Sequence, residues 1–190
     1  MNAILRAAAV LACAICAAGC GSPQYRESKA GTFSGDLDVR WIRDDQFLFM
    51  PAKDKPFTFT RADGTKIVPS AMYTDGGSVP RMFWGVSGFS PWGYAPAFIV
   101  HDWIFEAKHC ANPTVKFTFE ESADILGEGL KTIMEKDPSV RNDFAFTAIV
   151  AGVRTPIARK VWDGGKCNPV GAAVEFAATP PGELIATLKF

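Results

Sequence analysis

The chain has 190 residues, and its 20 lysines and arginines balance its 20 aspartates and glutamates. No basic stripe or basic tail breaks that balance, so nothing points to nucleic acid as a partner. With 48% hydrophobic residues, the length suits one domain with its own core rather than a disordered or repetitive chain.

The N-terminus reads as a targeting segment. Arg6 is the only charge before Arg26, and Ala7 to Ala18 is an apolar, alanine-rich run. That run is shorter than the roughly 20 residues a membrane-spanning helix needs. It leads into Ala17-Ala18-Gly19-Cys20. This resembles the lipobox of bacterial lipoproteins, with Ala17 where that motif usually has leucine. The resemblance implies cleavage of a signal peptide at 1–19 and lipid, palmitate included, on Cys20. The chain would then be held in the bacterial cell envelope by an N-terminal lipid, facing the periplasm or the exterior. An uncleaved anchor and a soluble secreted chain are the other readings. Cys13 and Cys16 have C-x-x-C spacing, but inside a signal segment they carry no chemistry. Residues 20–32 are polar after the cysteine and read as a mobile tether. Residues 33–190 read as a single domain. Export places Cys110 and Cys167 in an oxidising compartment, where a disulfide between them is expected.

From Phe33 to Thr74 the pattern is β. Val39-Arg40-Trp41-Ile42-Arg43 alternates, Asp44-Asp45 signals a turn, and Gln46 to Met50 follows. Phe57-Thr58-Phe59-Thr60 alternates aromatic with β-branched polar residues, and Asp63-Gly64 is a hairpin turn signal before Lys66-Ile67-Val68. Helices follow. Pro96 fits a first helical turn, and Ala97, Val100, His101 and Ile104 share one face of a helix to about Lys108. Thr118 and Glu121 form a capping box. The helix they open carries Phe119, Ala123, Leu126, Leu130 and Ile133 to about Glu135. Asp137-Pro138 signals a third helix through Val140, Phe144, Ala148 and Ala151, broken or kinked at Pro156. Val174–Ala177 and Leu184–Phe190 read as two short closing strands. The expected class is α+β: an antiparallel sheet of about four strands against three helices, with a short irregular or β tail. No phosphate-binding glycine loop, zinc-finger spacing or internal repeat is present.

The chemistry-bearing residues gather in two stretches. Tyr73-Thr74-Asp75-Gly76-Gly77-Ser78-Val79-Pro80-Arg81 reads as a turn, because glycines 76 and 77 free the backbone and Pro80 fixes its exit. Ile99-Val100-His101-Asp102-Trp103 places one of only two histidines beside an aspartate. The segment between them carries the aromatics Trp84, Phe89, Trp92 and Tyr94, read as a plug over the core or as a substrate-facing wall. With Phe83-Trp84, Tyr94-Ala95, Ala97, Ala123-Asp124 and Gly152-Val153-Arg154, these stretches resemble the domain-of-unknown-function 1353 family of bacteria and phages, over about residues 36–162. The resemblance implies no established activity.

Two functional readings stand. In the first, Asp75, Ser78, His101 and Asp102 are catalytic candidates of a hydrolase. A divalent metal is a possible cofactor, on Asp75, His101, Asp102 and Asp124, or else Ser78 is the nucleophile and His101 the base. Arg81 and Arg154 would support the site. In the second, the same groups form a structural network in a non-catalytic envelope lipoprotein that binds a partner. An HD-type phosphohydrolase needs a histidine upstream of the His-Asp pair; His109, the only other one, lies downstream.

Overall fold

The computed structural model describes residues 22–43, 46–74, 91–175 and 177–190. Among these described residues, seven strands pair as two antiparallel sheets. The smaller joins β1 (Thr32–Ser34), β4 (Thr58–Thr60) and β5 (Lys66–Ile67) in the order β1-β4-β5. The larger has the order β6-β3-β2-β7, from β6 (Met72–Thr74), β3 (Gln46–Pro51), β2 (Asp36–Arg43) and β7 (Glu183–Lys189). The β4–β5 turn has the expected chemistry: Gly64 takes φ +86°, and the Asp63 carboxylate accepts from the Thr65 amide at 2.8 Å.

The strands therefore divide between two sheets where one of about four was expected. Proline-flanked residues 51–56 separate β3 from β4, and β4 pairs back to β1, a strand of three residues too short to be read locally. β7 comes from the C-terminal tail and closes the larger sheet against β2, with Leu37 opposite Leu188 and Val39 opposite Ala186. The other expected tail strand is instead helical: Ala172–Glu175 form α6.

The remaining helices are α1 (Pro23–Glu27), α2 (Ala95–His109), α3 (Phe119–Lys136), α4 (Asp143–Gly152) and α5 (Pro156–Gly164). The Thr118 hydroxyl accepts from the Glu121 amide at 3.1 Å, and the Glu121 carboxylate accepts from the Thr118 amide at 2.7 Å. The bond from the Thr118 amide, with the Thr118 hydroxyl beside it, holds the Glu121 carboxyl below its ordinary pKa. Asp137-Pro138 begins only a single 3-10 turn, and the longer helix starts at its own cap, Asn142, whose side chain accepts from the Ala145 amide. Pro156 begins α5 rather than kinking α4, because Thr155 caps a new first turn.

One core joins both layers. Phe33, Leu37, Val39, Phe59 and Met72 from the strands, with Phe57 just before β4, meet Ala97, Ile104, Leu126, Leu130 and Phe146 from the helices. Helices α2 and α3 approach closely at Gly129, where a β-carbon would stand 2.9 Å from that of Ala97.

The segment before β1, expected to be a mobile tether, is instead part of this packing. Ser22 caps α1 by accepting from the Tyr25 amide at 3.2 Å, and Tyr25 is buried. Its ring stands edge-on to Phe146 with centroids 5.1 Å apart. Lys131 Nζ lies 5.0 Å and the Arg141 guanidinium 4.5 Å from the ring centre. Lys131 also donates to the carbonyls of Tyr25 and Ser28. One aromatic residue thus converts a polar stretch into a docked one.

Candidate functional site

Three consecutive residues of α2 reach three different parts of the fold. Position 101 shares the buried face with Ala97, Val100 and Ile104, and the imidazole is only 2% exposed. Its Nδ1 lies 3.1 Å from the main-chain carbonyl oxygen of Ser122, in the first turns of α3. A carbonyl only accepts, so Nδ1 carries the proton and Nε2 the lone pair. Desolvation pushes the His101 pKa down to about 4, against the opposing effect of the Ser122 carbonyl. The ring is therefore neutral at pH 7. Phe105 packs against it at 4.8 Å.

Asp102 lies about 100° further round the helix. Its Oδ2 accepts from the Thr74 hydroxyl at 3.0 Å, and Thr74 ends β6. Trp103 Nε1 donates to the Ser70 hydroxyl at 3.0 Å. His101 thus ties α2 to α3, while Asp102 and Trp103 tie it to β6 and its approach. Asp75, Ser78 and Arg81, with Trp84 and Phe89, lie outside the described residues, as do Cys20 and the residues before it. Thr74 is the last described residue before that turn. Tyr94 is buried and donates its hydroxyl to the Val140 carbonyl at 2.8 Å.

Asp124 does not join His101. Ser122 faces α2, and a residue two positions on is turned by about 200°. The Asp124 side chain is accordingly 54% exposed and pairs with the half-exposed Arg154. The four-residue metal set is therefore not assembled by its three described members, His101, Asp102 and Asp124. Among the described residues, one group of three such side chains brings ligand atoms within 4.8 Å of one another: Glu106, Cys110 and Cys167. Its two sulfurs are bonded to each other, as expected from the sequence. Glu106 instead accepts from the Asn168 amide at 2.5 Å.

Asp124 and Arg154 lie on a surface hollow of about 530 Å³, which the sequence did not reveal. Lys29, Arg61, Asp63 and Glu128 also line it. Arg61 follows β4 and grips Glu128 of α3 with two bonds, Nε to Oε2 at 2.8 Å and Nη2 to Oε1 at 2.7 Å. The pair raises the Arg61 pKa. A side-chain pairing across 67 positions leaves no local sequence signal. Among the described residues no helix is long and apolar enough to cross a membrane.

The profile of the family described as "Protein of unknown function (DUF1353)" matches residues 53–149. The chain belongs to the DUF1353 family. The matched region runs from the approach to β4 into α4, and so contains β6, the 101–103 ties, the capping box and the Arg61–Glu128 pair. β1, β2 and β3, which precede position 53, and α5 and β7, which follow position 149, flank the DUF1353 region in this chain. Neither curated proteins nor solved structures yielded a match.

Proposed function

We propose that this DUF1353 protein is a non-catalytic lipoprotein of the bacterial cell envelope, anchored through lipid on Cys20. In it the 101–103 ties are a structural network supporting partner binding, and the polar hollow beside α3 is the surface offered to the partner. The observation that carries this reading is the state of His101, which is buried, uncharged and bonded through Nδ1 to a main-chain carbonyl. A side chain so enclosed serves packing before chemistry. His101→Gln and Asp102→Asn test it together. In the full chain each should lower the urea midpoint of unfolding, His101→Gln by disturbing the buried bond to the Ser122 carbonyl and Asp102→Asn by weakening the half-buried bond from the Thr74 hydroxyl. Wild-type midpoints in both variants would rule the structural role out. Metabolic labelling with radioactive palmitate tests the anchor: the wild type should carry label and Cys20→Ala none.

A second reading keeps a hydrolase, with Asp75, Ser78, His101 and Asp102 as its residues and Asp124 set aside. It is favoured by the fixed Nδ1–H tautomer, which leaves the His101 lone pair on Nε2. Under this reading His101→Gln abolishes hydrolysis and leaves the melt near its wild-type midpoint.

A further inference from the structure

The docking of α1 sets where the chain enters the domain. Ser22 is held from three directions. Its hydroxyl accepts from the Tyr25 amide and from the Thr147 hydroxyl at 3.0 Å. Its own main-chain N–H bonds the Asp143 carboxylate, whose pKa is lowered first by Arg141 and also by this bond. Thr147 and Asp143 both belong to α4. Cys20 lies two residues upstream of Ser22, a span of at most about 7 Å in extended chain. A lipid on Cys20 would therefore enter the bilayer beside the first turns of α4, with almost no slack between membrane and domain.

That end of α4 carries Phe144, directly after Asp143, with 74% of its surface exposed. An exposed aromatic ring at a helix start suits the boundary between headgroups and acyl chains. A half-exposed cation, Arg141, lies three residues before Phe144, paired with Asp143, and a further one, Arg26, is in the last turn of α1. Such residues favour anionic headgroups. We infer that the start of α4, with Phe144 at its tip, is the face this domain lays on a phospholipid bilayer. The domain sits flush on the membrane instead of swinging on a tether. This rests on the lipid anchor proposed at Cys20.

The test uses the full chain reconstituted into vesicles of phosphatidylethanolamine and phosphatidylglycerol with brominated acyl chains, which quench nearby tryptophan. Wild type, with its five tryptophans, gives the baseline. Phe144→Trp should add a fluorescence component that brominated vesicles quench and unbrominated ones do not. Ile185→Trp, on β7, should add an unquenched one. No added quenching at position 144, or quenching at position 185 in its place, overturns the membrane face while leaving the anchor intact. The mass of the N-terminal peptide is measured on the same sample. A peptide without diacylglycerol on Cys20 overturns the anchor, and the membrane face with it.

Discussion

The Nδ1 of His101 and the carbonyl oxygen of Ser122, 3.1 Å apart, join α2 to α3 through a ring that folding holds uncharged. That state has a pH signature. The folded pKa is about 4, below the ordinary 6.5, so between those values the unfolded chain binds the proton and the folded chain does not. Stability from this group is complete above about pH 6.5 and is lost as pH falls towards 4. A shift of this size is worth on the order of 3 kcal/mol. Asp63, Glu121, Asp137 and Asp143, whose pKa values are also lowered, titrate at lower pH. The difference between wild type and His101→Gln should therefore isolate the histidine. Urea midpoints from pH 7.5 to 4 should run parallel above about pH 6.5 and fall more steeply for wild type between about pH 6.5 and 4. Curves parallel throughout would refute the assignment.

Two of the ion pairs lining the polar hollow should behave differently. Arg61 and Glu128 have side chains only 16% and 14% exposed and share two hydrogen bonds. Arg61→Ala or Glu128→Ala should each cost about 2 kcal/mol, the lower side of what breaking a buried pair costs, because the pair keeps some solvent. Arg154 and Asp124 are 42% and 54% exposed, and breaking that pair should cost under about 1 kcal/mol. Double-mutant cycles by urea unfolding measure both couplings. A larger coupling for the Arg154 pair would invert this ranking.

What the sequence made legible is what is local. The Thr118–Glu121 box, the Asp63-Gly64 turn and the buried face of α2 each depend on residues within a few positions of one another, and the structure has all three. Distant partners were the difficulty. Tyr25 docks because Phe146, Lys131 and Arg141 lie more than 100 positions away, so its own neighbourhood reads as a tether. Asp124 sits at the edge of an apolar stripe, and only the turn of α3 relative to Ser122 decides that it faces away from His101. β1 and β7 declare themselves only through β4 and β2.

The bond between Cys110 and Cys167 spans 57 positions and fastens the end of α2 to the segment leading to α6 and β7. In the chain-entropy view a loop of that length stabilises by about 4 kcal/mol. Thiol titration of the denatured, unreduced chain should find neither cysteine reactive. Replacing both by serine should lower stability by about 2–4 kcal/mol. Titratable thiols at Cys110 and Cys167 themselves, counted apart from Cys13, Cys16 and Cys20, would contradict the pairing.

Tyr25 offers the sharpest separation of packing from polarity. Its ring is enclosed by Phe146, Lys131 and Arg141, yet its buried hydroxyl has no hydrogen-bond partner among the described residues. The same burial raises its pKa. An unmatched hydroxyl costs free energy that a hydrogen atom in its place would not. Tyr25→Phe should therefore leave stability unchanged or raise it, by up to about 1 kcal/mol. Tyr25→Ala removes the ring and should cost about 3 kcal/mol, as large-to-small core changes do. It should also release α1, so that amide hydrogen exchange over residues 22–30 becomes fast while α3 stays protected. Urea unfolding and exchange read by mass spectrometry give both answers. If Tyr25→Phe destabilised as much as Tyr25→Ala, the hydroxyl would have a partner and the docking of α1 would depend on it. If exchange over 22–30 were fast in wild type as well, that segment would be a tether after all.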